Sequence, residues 1–273
     1  MSTLAEQSLR DLRLEEALAG LQQQVRERPA DATLRVFLFQ LLCVLGQWQR
    51  ALTQLQLAGE LDAGALAMVQ TYREALRCEV FRGQVFAGNR LPLIFGDPGE
   101  WVALSLEALR LSAQGQYAQS KAFRERAFEI APTSRGQIDG QPFEWIADAD
   151  ERLGPVLEAI INGRYYWVPF EHIKMIVLEA PEDLRDLVWM PAQFTWVNGG
   201  QMIGLIPTRY PGSHESEDSA IRLARKTEWV AREGGLYTGL GQRLFATEGG
   251  EYPLMDTRVI QIEGPEAGER AHG

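Results

Sequence analysis

The sequence has few of the residues that build metal and redox sites. Its 273 residues include two cysteines and three histidines. His172, His214 and His272 have no second histidine or cysteine at ligand spacing, so we expect no zinc or other metal site and no cofactor. Cys43 and Cys78 both lie within apolar helical patterns. We therefore predict two buried thiols and no disulfide.

Long apolar runs and positive charge are also scarce. No apolar stretch reaches the roughly 18 residues that suggest a bilayer span, and no cationic start precedes an apolar run in the first 25 residues. These absences predict a cytoplasmic protein without membrane insertion. Residues 1–136 carry 15 Lys/Arg against 15 Asp/Glu, whereas residues 137–273 carry 12 against 22. The acidic second half repels phosphate, which argues against nucleic acid and anionic lipid as partners.

The first half contains an internal repeat. At a spacing of 34 residues, apolar and small residues recur: Leu14, Ala17, Leu18, Leu21 and Pro29 return as Trp48, Ala51, Leu52, Leu55 and Ala63. Gly46 and Trp48 return again as Gly115 and Tyr117. Such spacing is typical of tetratricopeptide hairpins, which stack into a curved solenoid with a peptide-binding surface. Residues 1–136 are therefore predicted to form a tetratricopeptide-like α-helical superhelix, with a plain helical bundle as the alternative.

The second half changes to aromatic and β-branched runs separated by glycine turns. One of these turns, Asn198-Gly199-Gly200, is a strong hairpin signal. Residues 137–264 are predicted to form a smaller mixed α/β domain, rich in β-structure as a sheet or small barrel, and residues 265–273 a flexible tail. The tract 89–101 has two prolines and two glycines, which predicts a loop before a helix restarts near Trp101. The predicted fold class is α+β.

Five carboxylates crowd one short stretch of the second half: Asp139, Glu144, Asp148, Asp150 and Glu151. The apolar spacing predicts a helix over residues 143–161, with Asp150 on its core-facing side. A carboxylate on an apolar face must be paired or neutralised. Asp150 is therefore predicted to be a structural buried charge, held by Arg164 or Arg209. The other four acids are predicted to be solvated or locally paired.

Catalysis has little support in the sequence. No spacing selects a pair of acids across a cleft, and the serines lack a G-x-S-x-G elbow. We predict no catalytic residues, and an enzyme that uses acids of residues 139–151 is the alternative.

The remaining signal is an excess of aromatic side chains in the second half. Most should fill the core, but aromatics exposed beside arginine are typical of protein-binding hot spots. The predicted partner-binding residues are Trp145, Arg164, Tyr165, Tyr166, Trp167, Trp189, Gln193, Trp196, Arg209 and Tyr210.

Five sequence runs resemble the ImpE/TagJ family, also called SciE-type, of bacterial type VI secretion accessory proteins. The runs are "RVFLFQLLCVLGQW", "DGQPFEWIADADERLGPVLEAIINGRYYWVPF", "DLVWMPAQFTW", "IPTRYPGS" and "GLGQR". The resemblance implies a tetratricopeptide-like domain joined to a mixed α/β domain, and a non-enzymatic role. The implied partner is the N-terminal helix of TssB, the small contractile-sheath subunit, with consequences for sheath assembly or recycling. The ClpV ATPase is a second implied partner, and a general scaffold that bridges secretion components is another alternative.

Overall fold

The computed structural model describes residues 4–263, so the predicted tail at 265–273 lies outside the described residues. Helices make up most of the first half of the chain. Their bounds are α1 (Leu4–Arg10), α2 (Leu14–Glu27), α3 (Ala32–Val44), α4 (Trp48–Leu61), α5 (Leu66–Phe86), α6 (Glu100–Ala113), α7 (Tyr117–Ile130) and, within the second half, α8 (Ser219–Arg222).

The repeat of the sequence corresponds to helices of equal length. Helices α2 and α4 have 14 residues each and begin at Leu14 and Trp48, at equivalent positions of the repeat. The hairpins α3–α4 and α6–α7 turn at Gly46 and Gly115, whose φ angles are 67° and 73°. These left-handed angles favour glycine, which has no Cβ to clash. The single helix α5, with 21 residues, replaces the unit between the two hairpins.

Strands are the main regular structure of the second half, and one short strand lies in the first half. Their bounds are β1 (Leu93–Ile94), β2 (Gly136–Ile138), β3 (Gln141–Phe143), β4 (Ala147–Asp148), β5 (Val156–Ile161), β6 (Arg164–Pro169), β7 (Ile173–Leu178), β8 (Trp189–Trp196), β9 (Gln201–Pro207), β10 (Thr227–Ala231), β11 (Tyr237–Gly241), β12 (Leu244–Thr247), β13 (Gly250–Pro253) and β14 (Val259–Ile262).

The main sheet has nine strands in the order β1-β6-β5-β9-β8-β7-β14-β2-β3. Its pairs are antiparallel except for the parallel pair of β1 with β6. Two smaller sheets have the orders β13-β12-β4 and β10-β11. The predicted α+β class is confirmed, and of the two predicted shapes the structure forms the open sheet. The Asn198-Gly199-Gly200 hairpin is also confirmed, because it joins β8 to β9.

The predicted helix at residues 143–161 is wrong. This stretch contains the end of β3, then β4, a turn and β5. All six residues of β5 are buried. A continuous apolar run does not distinguish a strand from a helix, because both produce this pattern when they are buried on every side. Asn162 and Gly163, with φ angles of 49° and 70°, form the two-residue turn that joins β5 to β6 as a hairpin.

The two halves share a hydrophobic core. Alternate residues of β5 point to opposite faces of the sheet: Val156 and Ile160 join the core formed with the helices, whereas Leu157 and Ile161 join the core on the other face. Strand β1, from the first half of the chain, pairs with β6. The helices and the sheet are therefore packed together closely, and the division at residue 136 stays a prediction. Cys43 and Cys78 are buried free thiols, as predicted.

Candidate partner-binding site

The ten predicted partner-binding residues separate into a buried and a surface group. Six are less than 5% exposed: Tyr165, Trp167, Trp189, Trp196, Arg209 and Tyr210. They offer no surface to a partner, so the prediction for these six is corrected. The physical reason is that a sheet covered on both faces fills its two cores with its largest side chains. The four that reach the surface lie on β6, on β8 and between β3 and β4: Arg164, Tyr166, Gln193 and Trp145.

A network of buried charges connects α5 to the sheet. The Arg82 guanidinium donates from Nε to Glu158 Oε1 over 2.6 Å and from Nη2 to Glu158 Oε2 over 2.8 Å. Arg243 donates to the same Glu158 carboxylate and, through its other terminal nitrogen, to Asp148. The Tyr165 hydroxyl also donates to Glu158. Because each charge has a bonded partner, the desolvation cost of this cluster is largely offset.

The network continues along α5. Glu79 accepts a hydrogen bond from Arg82 Nη1 at 2.9 Å and another from the indole Nε1 of Trp189 at 3.1 Å. Arg82 Nη2 also donates to the main-chain carbonyl of Arg209 at 2.9 Å. A single helix of the first half therefore contacts β5, β8 and the segment after β9 through polar bonds. These contacts hold the helices and the sheet in one fixed arrangement.

Asp150 is fully buried, and its partner differs from the prediction. Its carboxylate accepts from Arg152 Nε at 2.9 Å and Nη2 at 2.6 Å, and from the backbone N–H of Gly239 at 2.8 Å. Arg164, one predicted partner, is exposed. Arg152 is the partner instead, because residues 150–153 form a turn and not a helix. The turn brings the Arg152 side chain back to the Asp150 carboxylate.

Burial and charge act in opposite directions within the network. Burial raises the pKa of Glu158, but the charges of Arg82 and Arg243 and the bonds that they donate outweigh it and lower that pKa to about 2. For Asp148, burial dominates over the attraction of Arg243, and the neighbouring Asp150 charge adds to it, so the pKa rises to about 7. The Asp148 side chain has no exposure, and its two oxygens accept from Arg243 and the Asp150 N–H.

Arg209 is buried beside helix ends. Its guanidinium donates to the carbonyls of Val44 at 2.8 Å, Cys43 at 3.3 Å and Arg222, which are the last residues of α3 and α8. Burial lowers its pKa to about 10. A cation at a helix C-terminus satisfies carbonyls that the helix leaves unbonded and interacts favourably with its dipole. Arg209 is therefore a helix cap, which corrects its predicted role in partner binding.

Trp145 lines a surface cleft of about 430 Å³ between the end of α7 and the β3–β4 connection. Trp145 and Phe128 are 40% and 38% exposed, and Ala131, Pro132 and Pro155 add apolar walls. Gly154, with φ of 57°, lies against the Phe128 ring, where a Cβ would come within 2.3 Å of it. The cleft therefore presents two aromatic side chains on a surface that is mostly apolar.

Two of the five acids of residues 139–151, Asp148 and Glu151, line this cleft, and each of the five has a structural partner. Asp139 accepts from the N–H groups of Arg258 and Val259. Glu144 pairs with Arg135 at 3.0 Å and Glu151 with Arg124 at 3.1 Å. Asp148 and Asp150 are buried in ion pairs. Asp148 was predicted to be solvated or paired with a neighbour in sequence, and this prediction is wrong, because its partner Arg243 is 95 residues away.

Sequence reasoning missed the centre of the buried network, which is formed by Arg82, Glu158 and Arg243. Glu158 could have been found, because it is the charged residue within the apolar run "VLEAII". A charge in a run that is buried on both faces needs a counter-ion. Arg82 and Arg243 have no comparable local signal, since their partner lies 76 and 85 residues away.

The fold defines a protein of stacked helical hairpins joined to a β-rich half through buried charges. Within residues 4–263, no helix is long and apolar enough to cross a membrane, and no group of three or more His, Cys, Asp or Glu side chains could hold a metal ion.

Comparison with known proteins identifies the family. The ImpE protein family model matches residues 140–261. The chain is 52% identical over 267 residues to the type VI secretion system accessory component TagJ of Pseudomonas aeruginosa, with 98% of this chain and 94% of that protein covered. The crystal structure of protein VPA1032 from Vibrio parahaemolyticus has the same fold, with a TM-score of 0.88, 24% identity, and coverage of 97% of this chain and 99% of that one. The chain belongs to the ImpE/TagJ family, which confirms the resemblance seen in the sequence.

Proposed function

We propose that this protein is a non-enzymatic accessory component of a type VI secretion system that acts by binding another polypeptide in the cytoplasm. Its relative TagJ is named a type VI secretion system accessory component. The proposed partner is the N-terminal helix of the small contractile-sheath subunit, and the proposed site is the Trp145 cleft. Binding there would influence how the sheath is assembled or recycled.

The observation that supports this proposal is the pair of exposed aromatics in the cleft. An amphipathic helix presents apolar anchors at positions i, i+3, i+4 and i+7, and a groove with aromatic walls is complementary to them. Trp145 and Phe128 expose about two-fifths of their surface, and exposed tryptophan is frequent among residues that dominate binding energy. Of the strongly perturbed acids, Glu158 is fully buried, and Asp148 borders the cleft with a side chain that has no exposure.

Calorimetry with a synthetic peptide of the sheath subunit's N-terminal helix tests the proposal. We expect a dissociation constant in the micromolar range or tighter, on the order of −8 kcal/mol. Trp145→Ala should weaken binding at least about tenfold, which is typical of a hot-spot aromatic. Ile203→Ala is the matched control, because Ile203 is 77% exposed on β9 and lies outside the cleft. The absence of heat at about 100 μM peptide, or equal losses in both variants, would contradict the proposal.

The family resemblance also implies the ClpV ATPase as a partner, and the same variants test how the two partners relate. If ClpV uses a different surface, Trp145→Ala should retain ClpV in a pull-down while it loses the sheath peptide. Retention of separate partners by separate surfaces would favour the scaffold alternative. Loss of both in Trp145→Ala would instead assign both to the cleft.

A further inference from the structure

A second pocket of about 450 Å³ lies next to the Trp145 cleft. It is formed by the segment before α6, the end of α7 and the turn that follows β6. Pro132 lines both the pocket and the cleft, so the two sites are neighbours on one surface. A polypeptide that lies in the cleft could therefore reach the pocket.

Three carboxylates line this pocket, together with Arg126 and His172. Asp97, Glu100 and Glu171 form no salt bridge within residues 4–263, and the nearby Arg126 is bonded to Glu129 at 2.6 Å. A compact metal ion does not suit these acids, because no group of three or more ligand side chains in the described range could hold one. An extended organic cation suits them better, since several donors can reach separate carboxylates.

The pocket also has a buried donor. Trp101 is 4% exposed, and its indole Nε1–H has no hydrogen-bond partner within residues 4–263. The indole edge faces Gly99 on the pocket wall, where a Cβ would come within 3.1 Å of Nε1. A buried N–H without an acceptor is costly. A ligand for this pocket should therefore combine positive charge with a hydrogen-bond acceptor.

We propose that the pocket binds a basic residue of a partner polypeptide, preferably arginine. The guanidinium pairs with Glu100, Glu171 and Asp97, and a main-chain carbonyl next to it accepts from Trp101 Nε1. Arginine presents five donors in a planar fork and therefore serves separated carboxylates better than the single ammonium of lysine. The proposal deepens the proposed function and rests on it for the source of the arginine, which lies on the polypeptide held in the Trp145 cleft.

Nuclear magnetic resonance tests the pocket without the natural partner. N-acetyl-arginine methylamide is titrated into the ¹⁵N-labelled protein, the tryptophan indole N–H signals are followed, and Trp101→Phe assigns the Trp101 signal. We expect this signal to shift to saturation with a dissociation constant of about 1–20 mM, as for a single-residue ligand. The neutral isostere N-acetyl-citrulline methylamide should bind at least about fivefold more weakly, because it lacks the charge.

Charge variants complete the test. Glu100→Gln/Glu171→Gln should weaken arginine binding roughly tenfold, as expected for lost charge-assisted bonds. Glu60→Gln/Glu217→Gln, which removes the same charge from exposed positions elsewhere, should leave it unchanged. An unmoved Trp101 signal, equal binding of citrulline, or equal losses in both double variants would overturn the proposal.

The sheath peptide separates this proposal from the proposed function. If wild-type protein binds the peptide and Glu100→Gln/Glu171→Gln weakens that binding, both proposals are supported. If the peptide fails to bind while the arginine probe shifts Trp101 as described, the choice of partner is wrong and the assignment of the pocket stands. If the peptide binds equally to wild type and the double variant, the pocket does not serve the polypeptide in the cleft, and the proposal is overturned.

Discussion

Glu158→Gln is the most informative test of the buried network. The substitution keeps the shape of the side chain but removes the negative charge that Arg82 and Arg243 share. Breaking a buried ion pair from one side costs about 3–5 kcal/mol, because the remaining cations stay buried without compensation. At about 2–4 °C per kcal/mol for a chain of this size, Tm should fall by at least about 6 °C.

Asp148→Asn is the matched control for this variant. Asp148 is as buried as Glu158, and the formal charge change is the same. Burial raises the pKa of Asp148 to about 7, and Arg243 keeps Glu158 as its partner when the Asp148 charge is removed. We expect a loss of about 1–3 kcal/mol, because the amide nitrogen replaces one of two accepting oxygens, and a smaller fall in Tm than for Glu158→Gln at pH 6.

Thermal denaturation of both variants at pH 6, followed by circular dichroism, decides between these expectations. Equal losses in the two variants, or a Glu158→Gln protein within about 2 °C of wild type, would refute the assigned roles. The double variant Glu158→Gln/Arg82→Met adds an internal check. It should recover part of the lost stability, because it removes one of the two uncompensated cations.

Four further predictions concern stability. The folded-state pKa of Glu158 lies near 2, below its ordinary 4.5. Its contribution to the free energy of unfolding is therefore fully present above about pH 4.5 and is lost as the pH falls toward 2. Urea unfolding at a series of pH values should show this decline. Asp150→Asn should lose about 2–4 kcal/mol, and a Tm within about 0.5 °C of wild type would remove its structural role. Arg209→Met should lose stability by leaving the ends of α3 and α8 uncapped. Arg209→Lys should restore little, since its side chain ends in one nitrogen, whereas two guanidinium nitrogens reach these carbonyls. Gly46→Ala should cost about 1–3 kcal/mol in the same urea assay, because its φ is 67° and a Cβ would overlap His214; a variant as stable as wild type would exclude this strain.

The parts of the fold that could be predicted from sequence are those determined by local chemistry. Gly46 followed by Trp48 predicted a helix hairpin, and Asn198-Gly199-Gly200 predicted a β-hairpin, because turn geometry depends on a few adjacent residues. The stretch at 143–161 was misread, since an apolar run buried on both faces carries no period that distinguishes strand from helix.

The site was harder to predict than the fold, because exposure depends on which faces become covered. Trp189 and Trp145 have similar local sequence chemistry, yet Trp189 is fully buried and Trp145 is 40% exposed. The two tryptophans differ in their neighbours. Helix α5 lies against Trp189, and its Glu79, which bonds the Trp189 indole, is 110 residues away in sequence. The pairing of Arg82 with Glu158 is equally distant, and no local pattern specifies it.

The position of Arg209 has a practical consequence for mapping partners by truncation. A fragment that ends near residue 136 would lose the guanidinium that binds the Val44 and Cys43 carbonyls. A fragment that begins there would retain Glu158 without Arg82. Neither piece would keep its native core, so a failed pull-down with either would report misfolding instead of a missing docking site. Single substitutions in the intact chain are the appropriate means of locating what this protein binds.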